Sequence, residues 1–321
     1  MSIAAPLGYS LRTASLEDAL QITELVNEVS VAEIGIPWTS VEDTRDDLTA
    51  PGRTADDDVL LVGDDGTLAG YLWLWADARP LTEVVHFAYV RPALWGRGLN
   101  ASLLRLGEHR ARETVRRAAP SSPVLLRVAR WAAVDAAGRL FASLGYTYAR
   151  TFHEMRMELD DPLPAPQIPD GIAMRTFNLK RDIRAVHATL EEAFASHWGG
   201  TFDPFDQWVH QHIEGESSGF DPSLWFVALD RDEVVGAVCC RASTPRSADA
   251  AHVNILGVRP AWRGRGIGRA LLLAAFGELQ HRGIAAVDLG VDSENQTGAT
   301  RLYEQVGMQT VRRAEWWEKK L

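Results

Sequence analysis

Residues 263–269 combine three glycines with three arginines, a composition suited to binding phosphate groups. The preceding residues 252–258 alternate and are rich in β-branched side chains, which is typical of a strand. The residues that follow repeat apolar side chains at helical spacing up to about Gln280, and Gly283 ends the pattern. The sequence therefore predicts a strand, a tight turn and a helix. Free N–H groups in such a turn bind phosphate oxygens, and the residues concerned are Arg263, Gly264, Arg265, Gly266, Ile267, Gly268 and Arg269.

Two widespread phosphate-binding motifs do not fit this turn. The Walker motif requires a lysine followed by Ser or Thr, and the turn has neither. The dinucleotide motif requires a third glycine where Arg269 stands. What remains is the pattern Arg-x-x-Gly-x-Gly. Taken alone, it also fits an ordinary glycine-rich turn with solvated arginines.

A second pattern follows downstream and helps to decide between a phosphate-binding turn and an ordinary glycine-rich turn. Residues 287–291 alternate as a strand, and Asn295, Ala299, Leu302-Tyr303 and Gly307-Met308 come next at fixed spacing. The two patterns together resemble the signatures of the GNAT superfamily of N-acetyltransferases, over roughly the last third of the chain. The resemblance implies acetyl-CoA as the acetyl donor, no metal ion, and transfer of the acetyl group to a primary amine.

The resemblance also implies roles for individual residues. Tyr303 stands at the position of the general acid, and backbone N–H groups of Leu256, Gly257 and Val258 face the thioester oxygen where the strand splays open. Asn295 is expected to bond the pantetheine arm, and a helix N-cap is its competing role. His252 falls where many family members carry a catalytic Glu, so it is a candidate base. A structural histidine, with a water chain carrying the proton, remains open.

An aromatic, partly acidic segment is the candidate acceptor site, because the family places its acceptor at the start of the domain. Its candidate substrate contacts are Trp198, Phe205 and Trp208, and His197, Asp203 and Asp206 are candidate partners for a cationic amine. Packing of these aromatic residues in the core is an equally good interpretation. Glu315, Trp316 and Trp317 are further candidates for the border of this pocket.

The chain contains two copies of one pattern. Val90-Arg-Pro-Ala-Leu-Trp-Gly-Arg-Gly98 matches Val258-Arg-Pro-Ala-Trp-Arg-Gly-Arg-Gly266, and residues 140–145 match 302–307. Four prolines between Asp160 and Gly171 predict an extended connector. The predicted domains are therefore 1–159, a linker 160–171, and 172–321. Each is predicted to be α/β, and the resemblance implies a mixed, mostly antiparallel sheet flanked by helices.

The two copies differ at the positions expected to do chemistry. Without gaps, Trp95 matches Arg263, Asn100 matches Gly268, Val84 matches His252, His86 matches Asn254, Ala133 matches Asn295 and Phe141 matches Tyr303. Phe in place of Tyr fills the same volume but removes the hydroxyl. We therefore expect a degenerate N-terminal copy and a catalytic C-terminal copy. The N-terminal copy either holds CoA without turnover or only shapes the groove.

Composition limits the other function classes. The formal net charge of −10 argues against nucleic acid as a partner. Cys239 and Cys240 are adjacent in a predicted strand, so buried thiols are expected rather than a disulfide. The sequence lacks a membrane-length apolar run, which predicts a cytoplasmic location. The resemblance to the GNAT superfamily implies an enzyme acting on a small-molecule amine. Acylation of a peptide or protein amine, and a non-catalytic CoA-binding sensor, remain as alternatives; oligomeric state is not predicted.

Overall fold

A computed structural model describes residues 4–54, 57–76, 81–120, 123–198, 202–244, 250–295 and 297–321. The chain divides into two compact units. The first unit comprises residues 1–151 and 313–321, and the second comprises residues 152–312. Each unit is described separately below.

The first unit contains a six-stranded sheet segment with helices on both faces. Strands β1 to β4 pair antiparallel in order, β4 pairs parallel with β5, and β5 pairs antiparallel with the last strand of the chain. The elements from the start of the chain are β1 (Tyr9–Thr13), α1 (Ala19–Ile34), α2 (Val41–Thr49), β2 (Asp58–Gly63), β3 (Leu68–Trp75), β4 (Glu83–Val90), α3 (Leu99–Ala118), β5 (Leu125–Trp131), α4 (Asp135–Ser143) and β6 (Thr147–Glu158).

The second unit repeats this plan. Its elements are β7 (Ile172–Thr176), α5 (Leu179–Phe194), α6 (Phe205–Val209), β8 (Trp225–Asp230), β9 (Glu233–Arg241), β10 (Ala250–Val258), α7 (Ile267–His281), β11 (Ala286–Asp292), α8 (Ala299–Gln305) and β12 (Gln309–Lys320). Strands β7 to β10 pair antiparallel in order, β10 pairs parallel with β11, and β11 pairs antiparallel with β6. The predicted α/β class with a mixed, mostly antiparallel sheet is confirmed.

The last strands of the two sequence copies are exchanged between the units. Residues 152–158 of β6 pair with β11 of the second unit. Residues 314–320 of β12 pair with β5 of the first unit. The compact units therefore differ from the domain boundaries expected from the repeat. The expected connector, residues 160–171, lacks helix and strand, and its Asp161 carbonyl accepts a hydrogen bond from Gln280 on α7 at 2.8 Å.

The arginine that begins each sequence copy makes the same contact in both units. Arg12 donates to Asp18 at 2.6 and 2.8 Å, and Arg175 donates to Asp182 at 2.6 and 2.9 Å. The hydrogen bonds from Arg12 lower the pKa of Asp18 to about 2. Each pair joins the first strand of its unit to the helix that follows.

Alternating apolar residues on the strands build a core on each face of the sheet. In the first unit, Leu61 on β2 packs in the cluster of α3, whereas the adjacent Leu60 packs in the cluster of α1. In the second unit, a side chain at Gly257 would meet Leu190 of α5. On the opposite face, a side chain at Gly236 would meet Leu271 of α7.

The C-terminal residues should stabilise the first unit, because Trp317 packs with its core cluster, 6.1 Å from the ring of Phe141. We expect Trp317→Ala to lower the free energy of unfolding by about 3 kcal/mol. Val311→Ala is the matched control, because it changes an exposed residue of the same strand and should cost within about 0.5 kcal/mol. Urea unfolding followed by circular dichroism measures both, and equal effects would contradict the assignment of residues 313–321 to this unit.

Candidate active site

The second unit contains an opening between two neighbouring parallel strands. Strands β10 and β11 pair only from Ala250–Ala286 to His252–Asp288, and both continue beyond that point. β10 remains paired with β9, and β11 remains paired with β6. The two strands therefore diverge after His252 and Asp288, as the resemblance implied.

Backbone amides of β10 point into this opening. The amide of Arg259 donates to the carbonyl of Val235 on the β9 side at 2.9 Å. Because amide directions alternate along a strand, the amide of Gly257 also points towards β9. The amides of Leu256 and Val258 point the other way, towards the opening. Of the three residues expected to supply an N–H donor, these two have the suitable direction.

The glycine-rich turn lies at the end of β10 and leads into α7. Gly264 and Gly266 have φ of 74° and 90°, a conformation that favours glycine, and a side chain on either would meet open space. Gly266 is the N-cap of α7, and within the described residues no side chain caps this helix. The first N–H groups of α7 are thus available to an anionic ligand. Ile267 offers only its backbone, because its side chain is buried.

Two other residues of the turn, Arg263 and Gly268, lie against neighbouring parts of the second unit. Arg263 donates to the carbonyl of Val258 at 3.0 Å and to that of Ala193 at 2.6 Å, so its guanidinium braces the turn. A contact of Arg263 with the cofactor stays a prediction. A side chain at Gly268 would come within 3.2 Å of Leu302, so this glycine lets α7 and α8 approach closely. Arg265 and Arg269 remain the cationic candidates.

The turn of the first unit keeps the same backbone. Gly96 and Gly98 have φ of 79° and 82°. The indole N–H of Trp95 donates to the carbonyl of Val90 at 2.7 Å, as Arg263 does to Val258. Trp95 and Arg263 therefore make the same hydrogen bond to the end of the preceding strand. The sequence comparison suggested that the change from Arg to Trp removes a chemical group, but this contact is preserved.

Tyr303 lies on α8 with only 7% of its surface exposed. Burial raises the pKa of its hydroxyl, so the phenol stays protonated at neutral pH. The described residues provide no hydrogen-bond partner for this hydroxyl. The Tyr303 hydroxyl is therefore protonated, as a proton donor must be, and has no hydrogen-bond partner among the described residues.

His252 and Asp288 form the last pair of the parallel ladder. His252 Nδ1 lies 2.5 Å from Asp288 Oδ1, and both side chains are largely buried. Asp288 carried no motif and was not predicted; the only signal was its position in a strand beside that of His252. The contact holds Nδ1 of His252, the candidate base, against the carboxylate of Asp288.

A β-bulge brings His252 to this face of the sheet. The β9–β10 ladder shifts register between Val253 and Ile255, whereas the β3–β4 ladder runs from Gly70–Val90 to Trp75–Val85 without a shift. The position of His252 in the second unit is therefore that of Val85 in the first, and the ungapped match to Val84 is wrong by one residue. Likewise His86 corresponds to buried Val253, and not to Asn254.

Asn295 is fixed by its own neighbours. Its Oδ1 accepts hydrogen bonds from the amide and hydroxyl of Thr297 at 2.7 and 2.5 Å, and its Nδ2 lies 2.8 Å from His197 Nε2. The N-cap of α8 is Gly298, so the competing role of Asn295 as a helix cap is wrong. Its contact with pantetheine stays a prediction.

The three aromatic candidates for the acceptor site have different surroundings. Trp208 is 1% exposed and packs with Trp225 and His187, so it belongs to the core and cannot contact substrate in this structure. Phe205 packs with His187 and lies under Arg184 at 4.4 Å. Trp198 is half-buried and lies 6.0 Å from Phe152, so it stays a candidate. Glu315, Trp316 and Trp317 belong to the first compact unit, and their place at the border of the pocket stays a prediction.

Gly290 is the exposed residue of strand β11, whose other residues are buried, and the sequence analysis did not single it out. It lies on β11 two residues beyond Asp288, on the same face, and a side chain there would meet open space. Three buried carboxylates share this face: Asp288, Asp292 and Glu154, which pairs in register with Gly290. Glu154 also accepts from Arg312 at 2.8 Å. This face, the floor of the opening, thus holds three buried carboxylates, one of which is paired with Arg312.

The same positions of the first unit hold different side chains. By strand register, Val85 and Arg127 replace His252 and Asp288, and the Arg127 guanidinium is paired with Glu83. Ala129 and Trp316 replace Gly290 and Glu154, and Trp316 lies 6.1 Å from Phe87. The first unit therefore carries aromatic rings where the second has an open floor.

The two cysteines are free and buried on β9, as predicted. Burial raises the pKa of the Cys240 thiol to about 12, and it raises the pKa of Cys239 further. Both are therefore inert thiols. Over the described ranges, no group of three or more His, Cys, Asp or Glu side chains is placed to hold a metal ion.

Comparison with known proteins agrees with this site. Residues 24–122 and 187–308 match the model of the acetyltransferase (GNAT) family, and the chain belongs to that family. The predicted class of enzyme is confirmed. Among the helices of the described residues, none has the length and apolar character needed to cross a membrane.

Individual relatives and solved structures are similar to this chain over most of its length. A mycothiol acetyltransferase of Thermobispora bispora is 36% identical over 255 residues, covering 77% of this chain and 79% of the relative. The crystal structure of a GCN5-related N-acetyltransferase from Sphaerobacter thermophilus matches with a TM-score of 0.79 and 31% identity over 99% of this chain and 97% of that one. A tandem GNAT protein of the clavulanic acid biosynthesis pathway has the same fold at 17% identity, with a TM-score of 0.71 over 97% and 98% of the two chains. The expected similarity in layout to mycothiol synthase is confirmed.

The position of the acceptor can be tested at Gly290. A leucine there should project into the opening without meeting other atoms, and we expect kcat/KM for acetyl transfer to fall by about 10-fold or more. Gly277→Leu is the matched control, because Gly277 on α7 also faces open space and lies outside the opening. CoA release measures both variants, and equal activity of the two would remove Gly290 from the acceptor path.

Proposed function

We propose that the second unit transfers an acetyl group from acetyl-CoA to the primary amine of a small molecule. The observation that carries the proposal is that one compact unit combines three features: the glycine-rich turn at the end of β10, the buried phenol of Tyr303 on α8, and the His252–Asp288 pair where β10 and β11 separate. The first unit keeps the turn but has Phe141, Val85 and Arg127 at the other positions. We therefore assign turnover to the second unit alone.

Acetyl-CoA is proposed to bind at the turn and the opening of the second unit. The turn and the start of α7 offer N–H groups to its phosphates, and Arg265 and Arg269 add positive charge. The amides of Leu256 and Val258 face the opening, where they can donate to the thioester oxygen as negative charge develops on it. Acetyl-CoA supplies an activated thioester when bound, so the protein need not activate the acetyl group.

The protein must manage two protons. A free aliphatic amine has a pKa near ~10, so the acceptor has to lose a proton to become a nucleophile. Water takes this first proton before the reaction. His252 then accepts a second proton, from the neutral amine nitrogen, as the new C–N bond forms and the C–S bond breaks. Tyr303 gives its proton to the departing sulfur, and solvent returns a proton from the imidazolium to the phenolate. Neutral phenol and neutral imidazole are thus restored.

The acceptor is proposed to be a small molecule carrying a cationic amine. The buried carboxylate of Asp292 on the floor of the opening favours positive charge, whereas that of Glu154 is already paired with Arg312. Several curated relatives are named as mycothiol acetyltransferases, and we propose an acceptor of that kind, a small amine and not a protein. The free buried cysteines fit a reducing compartment, and we propose the cytoplasm as the location.

Loss of the Tyr303 hydroxyl tests the assignment of the acid. We expect Tyr303→Phe to lower kcat by about 100-fold and to leave the affinity for acetyl-CoA nearly unchanged, because the ring volume is kept. Steady-state kinetics and calorimetric titration with acetyl-CoA measure the two quantities. A kcat equal to that of the wild type would exclude Tyr303 as the acid.

The matched control is Tyr146→Phe, which removes another buried phenol in the first unit. Its hydroxyl lies 2.8 Å from His86 Nε2, so the change should lower stability by about 1 kcal/mol and leave kcat unaltered. An equal loss of kcat in both variants would point to a general effect on folding. Wild-type protein that binds acetyl-CoA but releases no CoA with any amine of a panel would favour the sensor alternative.

A further inference from the structure

We propose that Asp288 is a positioning residue that holds the imidazole of His252 in the one tautomer able to accept a proton from the acceptor amine. An ionised carboxylate only accepts hydrogen bonds, so the 2.5 Å contact requires the proton on Nδ1 of His252. Nε2 then carries a lone pair and faces away from Asp288. The inference rests on the proposed function, because it gives His252 its role as base.

The fold places this pair by two independent features. The parallel ladder of β10 and β11 ends at His252 and Asp288, so the two side chains are neighbours at the point where the strands separate. The β-bulge between Val253 and Ile255 turns His252 onto the face of Asp288. Without the extra residue, the histidine would occupy the place of Val84, a fully buried core position of the first unit.

Charged neighbours on every adjacent strand define the surroundings of the pair. Arg241 of β9 stands in register with His252, and Arg156 of β6 stands in register with Asp288. Glu154 of β6 and Asp292 of β11 lie further along the same face. His197 follows α5 and is bonded to Asn295. Asp288 is thus a carboxylate in direct contact with His252.

The chemical step moves one proton and leaves Asp288 ionised. Nε2 of His252 takes the proton from the acceptor nitrogen while the lone pair of that nitrogen forms the C–N bond. The imidazolium then carries both ring protons, and the carboxylate of Asp288 stabilises its positive charge. The first unit lacks both partners, because Val85 and Arg127 stand at the matching ladder positions.

A double-mutant cycle tests the proposal. We expect Asp288→Asn to lower kcat/KM by about 10- to 100-fold, because the carboxylate that fixes and stabilises the imidazole is lost. The acidic limb of the pH profile should move to lower pH by about one unit, since removing a neighbouring negative charge disfavours protonation of the histidine. In a His252→Ala background, Asp288→Asn should have no further effect. Additive losses in the cycle would overturn the proposal.

The matched control is Asp182→Asn, which removes a buried, arginine-paired carboxylate of the same unit outside the opening. It should lower stability and leave the acidic limb in place. Asp288→Ala is measured in parallel, and retained acetyl-CoA affinity reports that each variant is folded. A loss of stability in Asp288→Asn with an unmoved acidic limb would mean a merely structural role and would overturn the proposal.

NMR titration of the His252 ring without substrates separates this inference from the proposed function. The midpoint of that titration should fall in Asp288→Asn relative to the wild type, whether or not any amine is acetylated. An unchanged midpoint would show that Asp288 does not hold the imidazole. If the midpoint shifts but no amine is acetylated in the activity assay, the result would instead count against the proposed function alone.

Discussion

The central constraint in this protein is that two parallel strands stay paired for three residues and then separate. Each of β10 and β11 has an antiparallel partner on its outer side, so both can continue after their shared ladder ends. The separation leaves amides of β10 unpaired within the sheet, which would be costly in a closed core. It also exposes Gly290 and places the His252–Asp288 pair at the edge of the opening. The chemistry of the site follows from a backbone feature that both units share.

On the proposed assignment of turnover to the second unit, the first unit has kept the backbone of the site and lost its chemistry. In the first unit β4 and β5 likewise pair over three residues and separate, and the glycine-rich turn keeps its positive φ angles. The side chains at the opening differ in kind: Phe141 lacks a hydroxyl, Arg127 replaces a carboxylate, and Trp316 takes the place of Glu154. Backbone geometry alone is thus insufficient for transfer.

Local sequence signals predicted the elements and the motif, and long-range pairing decided the rest. The strand, turn and helix around residues 252–281 follow from residue spacing and glycine, as do the repeat and the buried cysteines. The bulge beside His252 could not be foreseen, because an extra residue in one strand is defined only against its partner. The contacts of Arg263 with two carbonyls, the burial of Trp208 and the exchange of β6 and β12 also depend on residues distant in sequence. Asp288 became visible as a partner of His252 only through strand register.

The most direct test of this account compares acetyl transfer by Gly266→Glu and Gly98→Glu. The two glycines have φ of 90° and 82°, and a side chain on either meets open space, so the backbone strain of the two changes is matched. A carboxylate at the turn repels phosphate groups. The account predicts that Gly266→Glu abolishes transfer and that Gly98→Glu retains it. Loss of transfer in folded Gly98→Glu, with activity kept in Gly266→Glu, would contradict the assignment of catalysis to the second unit.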